Sequence, residues 1–172
     1  MTKRTMWVAA LLTTIGCICT KGAVAITCGT IAYHLLMRLS VGLVYSRTMK
    51  NRADCTKRWY RVGRREAAFY EWIGVRKWKK RMPSYDASSF DPKIHTWSEI
   101  AQAMCQAELV HETIVPLSFL PIAAGKYFGA YPVFIITSAL SALFDIMFVI
   151  IQRYNRPRVL RLAERENKLG SI

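Results

Sequence analysis

The stretch AYPVFIITSALSALFDIMFVIIQRYNRPR (130–158) decides the fold class, because it changes from apolar to basic within three residues. Residues 130–151 contain one charged side chain, Asp145. About twenty apolar residues form a helix of roughly 30 Å, which matches the hydrocarbon core of a bilayer. The arginines that begin at Arg153 belong on the cytoplasmic side by the positive-inside rule. The stretch therefore predicts a transmembrane helix in an integral membrane protein.

The rest of the chain separates apolar from basic residues in the same way. Of its 172 residues 52% are hydrophobic, yet the formal net charge is +14. Residues 46–81 contain thirteen Lys or Arg against three acids, and the tail from Arg153 contains six against two. Aromatic side chains beside these cations suit a lipid headgroup region, although the same pattern can stack nucleobases. Between two apolar blocks we expect anionic membrane lipid, and no nucleic acid, as the partner.

We predict an all-α integral membrane helical bundle with about four hydrophobic helices and a basic cytoplasmic or interfacial helical region. The chain is expected to form a single membrane domain, 1–172. Its predicted parts are an N-terminal hydrophobic hairpin (6–45), a basic interfacial region (46–108), a C-terminal hydrophobic hairpin (109–152) and a basic tail (153–172). An even number of spans in the cell membrane would place both termini in the cytoplasm.

The N-terminal hairpin has two open readings. Helices at 6–20 and 23–45 can be joined by a turn at Lys21-Gly22, or one long tilted helix can cover part of both. The start of the chain also has features of a signal peptide, with Lys3-Arg4 before a short apolar run. Because the apolar character continues to Tyr45, we favour a membrane anchor that is retained.

The basic region is expected to be an interfacial amphipathic helix from Thr56 onward. Residues 82–97 are rich in turn-forming residues. The next helix is predicted to begin after Thr96, because Glu99 stands three residues later in the capping-box position.

Several polar residues in or near the apolar segments are candidates for chemistry. Glu108 and His111 lie one helical turn apart, so a carboxylate could orient an imidazole that acts as a general base. The plainer reading is that both face water at a helix end. Asp145 belongs to a polar stripe with Thr137, Ser141 and Gln152, which predicts contact with a neighbouring helix. Arg38 and His34 are an intramembrane pair for which a structural role is favoured.

The five cysteines are scattered, so we expect structural thiols, no metal site and no cofactor. A covalent route through Cys105 is disfavoured, because no nearby group in the sequence would lower the pKa of its thiol.

Three segments carry a resemblance to a known family. VRKWKKRMP (75–83), AELVH (107–111) and IIQRYNRPRVLRL (150–162), in this order, resemble glycosyl-4,4'-diaponeurosporenoate acyltransferase. The resemblance covers roughly residues 70–165, and it implies an integral membrane enzyme that attaches a fatty acyl group to the sugar of a glycosylated carotenoid. The chain departs from the family pattern at Ala103, Met104, Gln106, Glu112 and Asp145.

The resemblance implies acyl-CoA or another acyl thioester as donor and a lipid-linked hydroxyl as acceptor. Its matched residues suggest Glu108 and His111 as catalytic. We expect Pro157 to stop the helix, so that the arginines before and after it spread around the phosphates of the donor. The candidate substrate-binding residues are Arg76, Lys77, Trp78, Lys79, Asp145, Gln152, Arg153, Tyr154, Asn155, Arg156 and Arg158.

Two other classes remain open from the sequence. A non-enzymatic membrane protein would use the basic segments only to bind anionic lipid. A small transporter would use His34, Arg38 and Asp145 along its path.

Overall fold

The computed structural model describes residues 3–82 and 88–169. These residues form helices and connections but no strand, so the prediction of an all-α fold is confirmed. The α-helices are α1 (Lys3–Cys19), α2 (Gly22–Met49), α3 (Arg64–Trp72), α4 (Val75–Trp78), α5 (Trp97–Leu117), α6 (Gly125–Phe128) and α7 (Tyr131–Leu169). Short 3₁₀ helices cover Arg58–Tyr60, Lys79–Arg81, Ser88–Phe90 and Leu120–Ala124.

Three segments in the described part of the chain are long and apolar enough to cross a bilayer: Gly22–Met49, Trp97–Phe128 and Tyr131–Leu169. A shorter apolar helix covers Arg4–Cys19. These four segments correspond to the four hydrophobic elements of the sequence, and the chain is a helical membrane protein.

The chain divides into two compact units. The apolar unit contains Met1–Val44 and Val110–Ile146, and the basic unit contains Tyr45–Leu109 and Met147–Ile172. The unit boundaries therefore fall inside α2, α5 and α7.

In the apolar unit, α1 packs against α2. Met6 and Ala10 of α1 are buried against Leu39 of α2. A Cβ atom at Gly16 would lie 3.1 Å from Cys28 Sγ, so the helices pack closely where the side chains are smallest. The break at 20–21 is followed by Gly22 with a φ of +64°, a conformation that glycine adopts without strain. The single long helix is therefore excluded.

In the basic unit, the helix predicted from Thr56 onward is wrong in its extent. The chain is irregular up to a single 3₁₀ turn, and α3 begins only at Arg64. It ends before Gly74, whose φ of +65° turns the chain into α4. The aromatic residues do recur at helical spacing. However, Ala53, Tyr60 and Cys105 pack together in a core, and this packing holds the segment before α3 in a non-helical path.

The start of α5 follows the prediction. The Thr96 hydroxyl accepts a hydrogen bond from the Glu99 N–H at 3.3 Å, and the Glu99 carboxylate accepts one from the Thr96 N–H at 2.9 Å. This reciprocal pair is the expected capping box. Part of the predicted turn-rich stretch, 83–87, lies outside the described residues.

The expected stop at Pro157 is wrong, because α7 continues through this proline to Leu169. Proline lacks an N–H and removes one bond from the helix interior. Tertiary contacts of the preceding residues offset that loss. Asn155 accepts a hydrogen bond from Lys79, and the buried Arg156 side chain donates to Glu108 and to the Tyr60 carbonyl.

Candidate functional site

The apolar unit contains a hydrogen-bonded network of ionisable side chains between three helices. His111 of α5 lies with its Nδ1 atom 2.8 Å from Oδ1 of Asp145 on α7. The other oxygen of Asp145 accepts a hydrogen bond of 2.5 Å from Arg38 of α2. The Asp145 side chain is 1% exposed, whereas the His111 side chain retains 21% of its surface. A buried carboxylate is thus neutralised by one arginine while it also bonds an accessible imidazole.

Serine hydroxyls extend this network. Arg38 donates to Ser141 Oγ at 2.7 Å, and Ser141 Oγ lies 3.1 Å from Ser118 Oγ of the neighbouring segment. Ser141 and Asp145 therefore contact neighbouring helices as the polar stripe predicts, whereas Thr137 bonds back to the Val133 carbonyl of its own helix.

The geometry at His111 defines which nitrogen can do chemistry. When Asp145 accepts a hydrogen bond from Nδ1–H, the neutral imidazole carries its lone pair on Nε2. The carboxylate also stabilises the imidazolium that forms if Nε2 takes up a proton, as in a catalytic triad. The arrangement can accept and return one proton.

His34, the other intramembrane histidine, does not join this network through its ring. It is buried, and neither ring nitrogen has a hydrogen-bond partner among the residues that the structure describes. Its carbonyl accepts a long bond of 3.4 Å from Arg38.

In the basic unit, Glu108 is surrounded by arginines. It is fully buried and accepts hydrogen bonds from Arg153, at 2.6 Å, and from Arg156. Arg153 also donates to Glu66 at 2.5 Å, and Tyr70 donates its hydroxyl to the same carboxylate. The positive charges of Arg153 and Arg156 are thus balanced by the negative charges of Glu66 and Glu108. The sequence pairs Glu108 with His111, whereas the carboxylate found on His111 Nδ1 is Asp145.

Beside this cluster the basic unit contains an open cavity of about 710 Å³, the basic cleft. Lys79 lies in it, donating to Asn155 Oδ1 at 2.5 Å and standing 4.8 Å from the centre of the Tyr154 ring. Burial, together with the positive charges of Arg158, Arg76 and Lys80, lowers the pKa of Lys79. The cations that line the cleft are Arg76, Lys79, Lys80, Arg153, Arg158 and Arg161, and its acid is Glu71.

About half of the predicted substrate-binding residues line the cleft. Of those predicted, its lining includes Arg76, Lys79, Arg153, Tyr154, Asn155 and Arg158. The others lie elsewhere: Lys77 is exposed, Gln152 is half-buried, Trp78 donates to the Ile73 carbonyl, Arg156 is buried on Glu108, and Asp145 belongs to the apolar unit.

The sequence did not predict some of the residues that line the basic cleft or contact its neighbours. Arg161 follows Arg158 at the i, i+3 spacing that shares a helix face, so a helix continued past Pro157 would have predicted it. Lys80 and Glu66 carry no signal of their own, because their positions depend on how short helices turn. The contact of Cys55 Sγ with Cys105 Sγ, at 3.1 Å, was likewise not foreseen. No group of three potential metal ligands occurs in residues 3–82 and 88–169.

Comparisons with known proteins bear on the identity of this site. A family model described as glycosyl-4,4'-diaponeurosporenoate acyltransferase matches residues 56–165, which include the basic cleft, His111 and Asp145. No curated protein matches the chain. No solved structure matches it either.

Proposed function

Because the chain belongs to the glycosyl-4,4'-diaponeurosporenoate acyltransferase family, we propose that it esterifies a hydroxyl of a glycosylated, carotenoid-like lipid with a fatty acyl group. The donor in this proposal is an acyl thioester such as acyl-CoA. The family and the long apolar helices make the chain a membrane protein of the acyltransferase class.

The observation that carries the reaction is the contact between His111 and Asp145. In the proposed step, Nε2 of His111 removes the proton of a sugar hydroxyl while its oxygen attacks the thioester carbonyl. The tetrahedral intermediate then expels the thiolate as the C–S bond breaks. The imidazolium returns its proton to that sulfur, so the base is regenerated. Asp145 is the positioning residue, since it fixes the tautomer of His111 and compensates its charge.

Glu108 has a different part in this proposal. Its carboxylate binds two arginines, one of them buried, and so we assign it to the structure of the basic unit. Its sequence-based role as the carboxylate that orients His111 stays a prediction, and the stability and activity of a Glu108→Gln variant separate that role from the structural one.

The apolar parts of the substrates require an apolar environment. Large aliphatic side chains of α7, among them Ile136, Leu140 and Leu143, are exposed and in a bilayer contact lipid. We place the acyl chain and the isoprenoid chain of the acceptor beside such surfaces. The basic segments would meet anionic headgroups at the cytoplasmic leaflet.

A reconstituted assay tests the function. The purified protein in lipid nanodiscs is incubated with radiolabelled acyl-CoA and glycosylated carotenoid. The extracted lipids are then separated, and their molecular masses are measured by mass spectrometry. We expect a new lipid whose mass has increased by one acyl group. Donor hydrolysis without a new ester, or movement of the carotenoid between vesicles without one, would contradict acyl transfer and favour the non-enzymatic or transport reading.

The orientation in the membrane is also a proposal. The basic residues at 46–81 and from Arg153 onward favour a multi-pass protein with both termini in the cytoplasm. A reporter that fluoresces only in the cytoplasm, fused to either terminus, is expected to be bright. A dark fusion at one terminus would require an odd number of spans.

A further inference from the structure

The cations of the basic cleft are of two kinds. Arg153 is paired with Glu66 and Glu108, and its guanidinium is therefore already used by the protein. The other five are Arg76, Lys79, Lys80, Arg158 and Arg161, and no ion pair to any of them is formed within residues 3–82 and 88–169.

These five cations give the cavity an excess of positive charge. Against these five cations the cavity contains one carboxylate, that of Glu71. Glu71 also accepts a hydrogen bond of 3.0 Å from the Tyr154 hydroxyl. Gathering like charges costs free energy unless an anion binds among them. Since Lys79 is bound to Asn155, this cation of the cleft has a fixed position.

The size and the charge both favour a ligand with several anionic groups. A single phospholipid headgroup offers one phosphodiester, whereas coenzyme A bears a diphosphate and a further phosphate on its ribose. A cavity of about 710 Å³ is within the range of small-molecule sites. Arginine contributes a planar fork that binds two phosphate oxygens at once.

We propose that the basic cleft binds the phosphate groups of the acyl donor, with Arg158, Arg161 and Arg76 as direct contacts and Lys79 held by Asn155. This inference deepens the proposed function, on which it rests for the identity of the donor. In this proposal Arg153 and Arg156, which are bound to Glu108, support the cleft, and Arg158 and Arg161 face the ligand.

Binding of coenzyme A, measured by calorimetry on protein in phosphatidylcholine nanodiscs, tests the assignment without requiring activity. In the double variant Arg158→Ala/Arg161→Ala we expect the Kd to rise about 10- to 100-fold, as for lost charge-assisted bonds. The matched control is Arg64→Ala/Arg65→Ala, which removes two exposed arginines of the same unit outside the cleft. The control should stay within about twofold of the wild type. Because all four arginines are exposed, both proteins should fold, which circular dichroism checks.

Two further arms identify the source of the phosphate. Pantetheine, which lacks phosphate, should not displace coenzyme A. Nanodiscs that contain phosphatidylglycerol should leave coenzyme A binding nearly unchanged. An equal loss of affinity in the control, no loss in the Arg158→Ala/Arg161→Ala protein, or displacement by pantetheine would overturn the proposal. Displacement by phosphatidylglycerol would assign the cleft to a lipid headgroup and overturn it as a donor site.

The failure of this inference is distinguishable from failure of the proposed function. If the wild type binds coenzyme A through the cleft but forms no ester, the cleft assignment stands and acyl transfer fails. If it forms the ester while the double variant keeps the wild-type KM for acyl-CoA, the cleft assignment fails and acyl transfer stands.

Discussion

His111→Ala is expected to reduce acyl transfer by about 10²–10⁴-fold, the usual loss when a general base is removed. Nδ1 of this imidazole lies 2.8 Å from the buried carboxylate of Asp145. Among the described histidines, neither His34 nor His95 contacts a buried carboxylate. The measurement is kcat with radiolabelled acyl-CoA at saturating donor. The KM for the donor should change little, because His111 acts on the acceptor hydroxyl.

A second histidine provides the matched control. His95 lies in the connection before α5, and its side chain is 38% exposed and 3.6 Å from Glu99. His95→Ala should retain at least half of the wild-type activity. Asp145→Asn should lower kcat by at least about tenfold and change its pH profile, since the amide cannot stabilise an imidazolium. Activity of stably folded His111→Ala within about twofold of the wild type would refute the base assignment.

Glu108→Gln is expected to destabilise the fold by about 3–5 kcal/mol, the usual cost of leaving a buried charge unpaired. Arg156 is 1% exposed and donates to Glu108 and to the Tyr60 carbonyl, so it cannot reach water without opening the basic unit. The free energy of unfolding is measured in mixed detergent micelles by titration with denaturant. Glu164→Gln, an exposed carboxylate of the same unit, should change this free energy by less than about 0.5 kcal/mol.

A double variant separates the structural role of Glu108 from a catalytic one. Glu108→Gln combined with Arg156→Met removes both buried charges, so its destabilisation should be smaller than the sum of the two single effects. If Glu108→Gln kept the wild-type free energy of unfolding and yet lost acyl transfer, Glu108 would orient His111 as its sequence spacing predicts.

The polar residues show where sequence reasoning reached its limit. Helical spacing placed Glu108 and His111 one turn apart, and they do lie on α5. The spacing does not say which partner each side chain meets, because the partners come from segments far along the chain. Asp145 is 34 residues from His111, and Arg156 is 48 residues from Glu108. Only the packing of α5 against α7 decides such pairs.

The sequence by itself determined the helical membrane fold, the four apolar segments, the capping box at Thr96 and the family. These features follow from composition, local spacing and short motifs, which act within one segment of chain. The tertiary structure alone decided that α7 passes through Pro157, and which arginines are paired with glutamates and which line the basic cleft. The physical reason is that a buried charge is stabilised by the counter-charge that folding brings to it, and that counter-charge is not a neighbour in the sequence.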